Sequence, residues 1–189
     1  MSNFSTQDVT LLLTKLKQGD KNSQEELIKV LYNELRSYAG NVLKKENPTI
    51  TFQATELVNE AYLRMFDSQN LDWNDKSHFI STAIIVMRRF LVDHARKKHS
   101  DKRIPKNAIN PIEEQSLKTS ELEIDIVALD EALEKLEKLD ARQARIVELR
   151  FFGGLSETQI GEILNISRST VNREWMLAKM WLLHQIKNS

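Results

Sequence analysis

Arg168, Ser169, Thr170, Asn172 and Arg173 cluster within six positions and carry the donors and acceptors that read nucleic acid. An arginine forks onto guanine or phosphate, an asparagine pairs with adenine, and hydroxyls reach base edges or the backbone. The stretch that holds them, Leu155 to Trp181, has helix-turn-helix spacing. Ser156 with Gln159 is a capping-box pattern that starts one helix, and Ile160, Ile163 and Leu164 give that helix an apolar face. Asn165-Ile166-Ser167 interrupts it, and asparagine tolerates the left-handed backbone a tight turn needs. Ser167 is placed to cap a second helix with Val171, Trp175, Ala178 and Leu182 turned inward. Gly161 lies mid-helix, where it costs stability relative to alanine; a residue without Cβ there lets the second helix come close. The reading side chains then sit at the N-terminal end of the second helix, which itself favours phosphate.

The charge distribution points the same way. The chain has 27 Lys and Arg against 27 Asp and Glu, a net of zero, but the balance is −2 over residues 1–74 and +6 over 75–106. It is −7 over 107–141 and +3 over 142–189. Two basic blocks are therefore separated by an acidic one, and local basic surface is what neutralises phosphates and releases counterions.

Enzymatic chemistry finds little support. The chain has no cysteine, which excludes disulfides, thiolate metal sites and thiol nucleophiles. Asp93-His94 and His99 do not share a metal-ligand spacing on one helical face. Gly-rich phosphate loops, G-x-S-x-G and H-E-x-x-H are absent. A recombinase or nuclease carrying a helix-turn-helix would need a mixed α/β catalytic domain, and the N-terminal half shows no strand alternation. No enzyme activity, metal or cofactor is expected.

The elements that must position these residues read as helices. Five glycines and three prolines in 189 residues are too few for a turn-rich β fold. Val9, Leu12, Leu13 and Leu16 recur at helical spacing up to a break at Gly19-Asp20, and Leu27, Val30, Leu31, Leu35, Tyr38 and Val42 form a second stripe. Asn47-Pro48 marks a turn. A third helix is predicted over about Ala54 to Phe66, with Leu57, Val58, Ala61, Tyr62 and Met65 inward and a Glu60–Arg64 pair outside. A fourth runs over about Lys76 to Lys98; Phe79, Ala83, Val86, Phe90 and Leu91 face inward, and Arg89, Asp93, Arg96 and Lys97 lie along another face. Residues 101–125 read as a linker, with Pro105, Pro111 and little periodicity. The helical pattern returns with Leu122, Ile126, Leu129, Leu133 and Leu136, and Asp140 with Gln143 resembles a capping pair for a helix ending at Gly153-Gly154. The start lacks a signal pattern and the longest apolar run, Ala83 to Met87, is far too short to cross a bilayer, so a cytoplasmic protein with no membrane partner is expected.

Four passages in order make the chain resemble the extracytoplasmic-function (ECF) group of sigma factors in the sigma-70 family. Thr55-Glu56-Leu57-Val58-Asn59-Glu60-Ala61-Tyr62-Leu63-Arg64 is similar to the region 2.2 signature. His78 to Lys98, ending in MRRFLVDHARKK, is similar to regions 2.3 and 2.4. LDARQARIVELRFFGGLS resembles region 4.1 leading into 4.2, and the helix-turn-helix resembles region 4.2 itself. The sequence departs from the pattern at Arg89, where asparagine is common, at Asn165, where glycine is common, and at Asn172, where a basic residue is common.

The resemblance implies an all-α protein of two helical domains: region 2 over residues 1–100, a flexible linker over 101–125 and region 4 over 126–189. It implies core RNA polymerase as partner, through the β′ clamp and the β flap, and promoter DNA as the second partner. An anti-sigma factor would be a third. By position, Glu56, Leu57, Asn59 and Glu60 would form the clamp-docking face. Arg88, Arg89, Asp93, Arg96 and Lys97 would recognise and help open the −10 element; Asp93 could instead pair with Arg89 or Lys97 in its own helix. Arg168, Ser169, Thr170, Asn172 and Arg173 would read the −35 element. The acidic linker residues Glu113, Glu114, Glu121 and Glu123 would mimic RNA in the polymerase channel. The rival reading is a helix-turn-helix regulator that binds DNA without acting as a sigma subunit; such a protein has no need of residues 54–98.

Overall fold

The computed structural model describes residues 6–43, 52–67, 73–101 and 114–187, all helices and the short joints between them. In chain order the helices are α1 (Thr6–Lys17), α2 (Lys21–Leu43), α3 (Ala54–Asp67), α4 (Lys76–Asp101), α5 (Glu114–Leu139), α6 (Ala141–Val147), α7 (Glu157–Leu164) and α8 (Arg168–Lys187). A π-helical turn, Glu148–Phe152, continues α6.

The predicted breaks are where local chemistry puts them. Gly19 ends the first helix at φ 89°, and Asp20 then accepts from the Asn22 amide at 3.0 Å and from the Ser23 hydroxyl at 2.8 Å, which starts α2. A cap of this kind contributes about 1 kcal/mol. Val9, Leu12, Leu13 and Leu16 of α1 are buried with Leu27, Leu31, Leu35, Ala39 and Val42 of α2. Leu57, Val58, Ala61 and Met65 of α3, and Phe79, Ala83, Ile84, Met87 and Leu91 of α4, complete this core. Val86 and Phe90, read as inward, are half-buried; Phe52 meets the Phe90 ring edge-on at 5.3 Å and the Arg64 guanidinium covers it at 4.8 Å.

The helix α5 extends further than the stripe from Leu122 indicates. It begins at Glu114, so its first half spans the later part of the segment read as linker, while residues 102–113 lie outside the described residues. Glu113 lies there too, and the side chains of Glu114, Glu121 and Glu123 are not among those described. Asp140 caps α6 as its spacing predicts, accepting from the amides of Arg142 and Gln143. Gly154, at φ 68°, takes the left-handed backbone that lets Leu155 N–H bond back to the Leu149 carbonyl at 3.1 Å and closes the π turn.

The two ends of the chain share one continuous core. Gly153 lies against Ile84 of α4 so closely that a Cβ would sit 2.7 Å from Ile84 Cδ1. Asn41 of α2 donates from Nδ2 to the Gly153 carbonyl at 3.1 Å. Phe152 is fully buried beside them, which is worth about 1.5–3 kcal/mol relative to exposure.

Candidate functional site

The helix-turn-helix forms as its sequence dictates. Ser156 and Gln159 make a reciprocal capping box at the start of α7. Asn165 takes φ 53° and ψ 46°, the left-handed conformation at the turn. Ser167 accepts from the Thr170 amide at 3.1 Å and so caps α8. The reason for Gly161 differs slightly from expectation: its missing Cβ makes room for the turn itself, since a Cβ would meet the Ile166 carbonyl oxygen at 2.7 Å and the Arg168 nitrogen only at 3.7 Å.

Val171, Ala178 and Leu182 are buried, and Trp175 is half-buried under the Arg150 guanidinium at 5.0 Å. The inward face also holds Glu174, which sequence reasoning missed; it accepts from Arg142 Nε at 2.9 Å and Nη2 at 2.5 Å, fastening α6 to α8. Its position between Val171 and Ala178, on the apolar side of the helix, was the available signal.

The face turned outward carries Arg168, Ser169, Asn172 and Arg173, all exposed, with Thr170 half-buried. Ser169 and Thr170 share hydrogen bonds with Ser167 at 2.9 and 2.8 Å. Arg168 Nε and Asn172 Nδ2 both donate to one carboxylate, that of Glu157, at 3.0 and 2.8 Å. Arg150 adds a third donor at 2.8 Å. These bonds, from Arg150 foremost and then Arg168 and Asn172, hold the Glu157 carboxyl down to about 2. Glu157 was not singled out from the sequence; an acidic residue in the first turn of a helix is ordinary there.

On α3, Glu56 accepts from the Gln53 amide at 2.8 Å, an N-terminal cap, and Asn59 is exposed. Glu60 pairs with Arg64 at 2.9 Å as its spacing predicts. Leu57 is fully buried, so it stands beneath this face rather than on it.

The residues of α4 are placed less uniformly. Arg89 and Lys97 are exposed. Asp93 pairs with neither Arg89 nor Lys97 but with Arg64 across on α3, at 3.2 Å. Arg88 is buried, with a side chain only 4% exposed. Its guanidinium meets Asp130 of α5 through Nη1 and Glu148 of the π turn through Nη2, the latter at 3.1 Å. Arg96 donates to the other Asp130 oxygen at 3.1 Å. Burial pushes the Asp130 and Glu148 carboxyls above their ordinary range despite the opposing pull of Arg88. Both acids stand among apolar neighbours, Asp130 beside Ile126 and Leu133 and Glu148 between Val147 and Leu149, and that was their signal.

The family model of ECF sigma factors matches residues 6–188, nearly the whole chain. The chain belongs to the ECF sigma factors. No curated protein matches it. An ECF sigma factor binds core RNA polymerase and promoter DNA and directs promoter-specific initiation, so this chain is a transcription initiation factor. The all-α architecture agrees with the family. No described helix of this sigma factor is long and apolar enough to cross a membrane, and no metal-competent cluster of His, Asp or Glu occurs among the described residues.

Proposed function

We propose that this sigma factor divides its work between residues 1–100, which dock on polymerase and open the promoter, and residues 126–189, which read the −35 element, with 101–125 joining them. It acts in the cytoplasm, without cofactor or catalytic role of its own. The observation that carries the −35 assignment is the two-sided character of α8. Arg168, Ser169, Asn172 and Arg173 are exposed around its first turn, while Val171, Glu174 and Ala178 face the core. That arrangement suits insertion into a major groove.

The α3 face of Glu56, Asn59 and Glu60, seated on Leu57, is the surface for the β′ clamp helices. Its carboxylates guide encounter with a basic partner more than they set affinity. Arg89, Arg96 and Lys97 hold phosphates of the opened −10 strand, Arg88 joins them only where α4 parts from Asp130 and Glu148, and Asp93 orients Arg64 alongside them. Met176, Leu177, Met180 and Leu183 of α8 are exposed and offer the β flap an apolar seat. An anti-sigma factor would compete for the same faces.

Two variants test the assignments. Glu60→Lys should abolish competition with the housekeeping sigma factor for core polymerase while helicity stays unchanged; normal core affinity would contradict the docking face. Arg173→Ala should weaken −35 duplex binding by about tenfold and leave core binding intact. Unchanged promoter occupancy would mean that α8 does not read the element.

A further inference from the structure

We propose that the free chain has a closed state in which Asp130 and Glu148, from the C-terminal half, occupy the arginines of α4 in place of DNA phosphates. The inference rests on the proposed role of α4 in holding the opened strand.

Three features of the contact support it. The first is stereochemical. Arg88 presents Nη1 to Asp130 and Nη2 to Glu148, and Arg96 takes the second Asp130 oxygen. Arg145 contributes to Glu148 at 3.5 Å. The carboxylate oxygens stand where phosphate oxygens would, and a guanidinium so engaged and buried has no fork left for a strand. Arg88, Asp130 and Glu148 are 4%, 5% and 12% exposed, so a phosphate cannot reach Arg88 without parting α4 from α5 and the π turn.

The second is that the surrounding residues are shaped for this packing. Gly153 has no space for a side chain against Ile84, and Asn41 bonds its carbonyl. Phe152 lies under the Arg88 guanidinium, 5.8 Å from ring centre to Cζ. The contact is therefore apolar packing with an ionic centre and not a chance meeting of surface charges.

The third is that the closure is reversible by design of its chemistry. Arg88 Nε has no hydrogen-bond partner among the described residues although it is buried. Burying two carboxylates and an arginine carries a desolvation cost that their attraction only partly returns. Such a contact holds the chain shut when alone and yields to a partner that binds the open form, because a ligand shifts a two-state equilibrium by its differential affinity. Beside the ionic centre lies a cleft of about 490 Å³ bordered by Arg89, Arg96, Glu134 and Glu137, where opposite charges from the two halves already face each other.

A reversible lock tests this directly. The chain has no cysteine, so an introduced pair forms one defined disulfide. A Cβ at position 154 would lie 3.4 Å from Asn41 Cβ, close to disulfide spacing; its φ of 68° strains any side chain, so the reduced pair is first compared with wild type for helicity and Tm. Full-length Asn41→Cys/Gly154→Cys should cross-link in mild oxidant. The oxidised form should fail to initiate with core polymerase, and reduction should restore initiation to near the wild-type level. An oxidised form as active as the reduced one would overturn the closed state as a block, and so would failure of the folded pair to cross-link.

If the wild type itself cannot initiate, the sigma reading fails, and the closed state is then judged on DNA alone. Asp130→Asn/Glu148→Gln keeps the side-chain shapes and removes the ionic centre. Its affinity for a fluorescein-labelled single-stranded oligonucleotide should rise about tenfold over wild type. A matched loss of acids elsewhere, Glu25→Gln/Glu26→Gln on the exposed face of α2, should raise it far less. Equal gains from the two pairs would reduce the effect to net charge and overturn the proposal. The same variant decides the matter if the cysteine pair does not fold.

Discussion

The Glu157 carboxylate, in the first turn of α7, accepts a hydrogen bond from Arg168 Nε at 3.0 Å across the helix-turn-helix. The same carboxylate takes Asn172 Nδ2 at 2.8 Å and Arg150 at 2.8 Å. Two of the side chains assigned to the −35 element are thus set by one acidic residue that does not itself lie on the reading helix. Neutralising it has two effects of opposite sign: a negative charge near the DNA disappears, and the two readers lose their common anchor.

Glu157→Gln should therefore raise affinity for random duplex at low salt while narrowing the gap between cognate and scrambled −35 sequences by about fivefold. Competition binding at two salt concentrations measures both. A variant that keeps the full gap would show that Glu157 does not position the readers.

Glu157 also carries a pH signature. Its folded value of about 2 lies below the ordinary 4.5. A depressed carboxyl contributes stability that is complete above the unfolded value and lost as pH falls from there through the folded value. The Glu157 contribution should persist at neutral pH and disappear between about pH 4.5 and 2. Carboxyl carbon shifts followed by NMR should give a midpoint near 2; a midpoint at the ordinary value would mean that the three donors do not hold the carboxylate in solution.

Gly161→Ala gains about 1 kcal/mol of helix propensity and drives a methyl to 2.7 Å from the Ile166 carbonyl oxygen. A backbone oxygen in a tight turn has little room to retreat, and overpacking of this kind costs about 1–3 kcal/mol. The steric term should win, lowering Tm by a few degrees and weakening −35 binding in parallel. A raised Tm would mean that the turn relaxes freely.

Asn165 tests the turn from the other side. At φ 53° a β-branched residue is strained, so Asn165→Val should destabilise the chain by about 1–2 kcal/mol in urea unfolding. Asn165→Gly should stay within about 0.5 kcal/mol of wild type, since glycine adopts this backbone freely but orders at greater entropic cost. Equal behaviour of the two variants would contradict the turn geometry.

Much of this architecture was legible in the sequence because it is local. Gly19-Asp20, Asp140 with Gln143, and Ser156 with Gln159 each fix a helix end through contacts within a few residues, and the apolar stripes of α1 to α4 follow from period alone. The outward residues of α8 were legible for the same reason. What could not be read was which distant charges meet. Asp93 has plausible partners within its own helix, yet its carboxylate goes to Arg64, 29 positions away. Arg88 sits in a run of basic residues that invites a solvent-facing reading, and only the packing of α5 and the π turn against α4 turns it into a buried ion-pair centre. Periodicity assigns a face to a helix but does not say which acidic residue from another helix will cover it.

The most direct measurement is initiation from a defined template pool by core RNA polymerase supplemented with the purified full-length chain. The account predicts that transcripts begin at a discrete set of start sites sharing a −35 and a −10 element, that they require the added chain, and that Glu60→Lys removes all of them. Absence of any start site that depends on the chain, with polymerase shown active under another sigma factor, would contradict it.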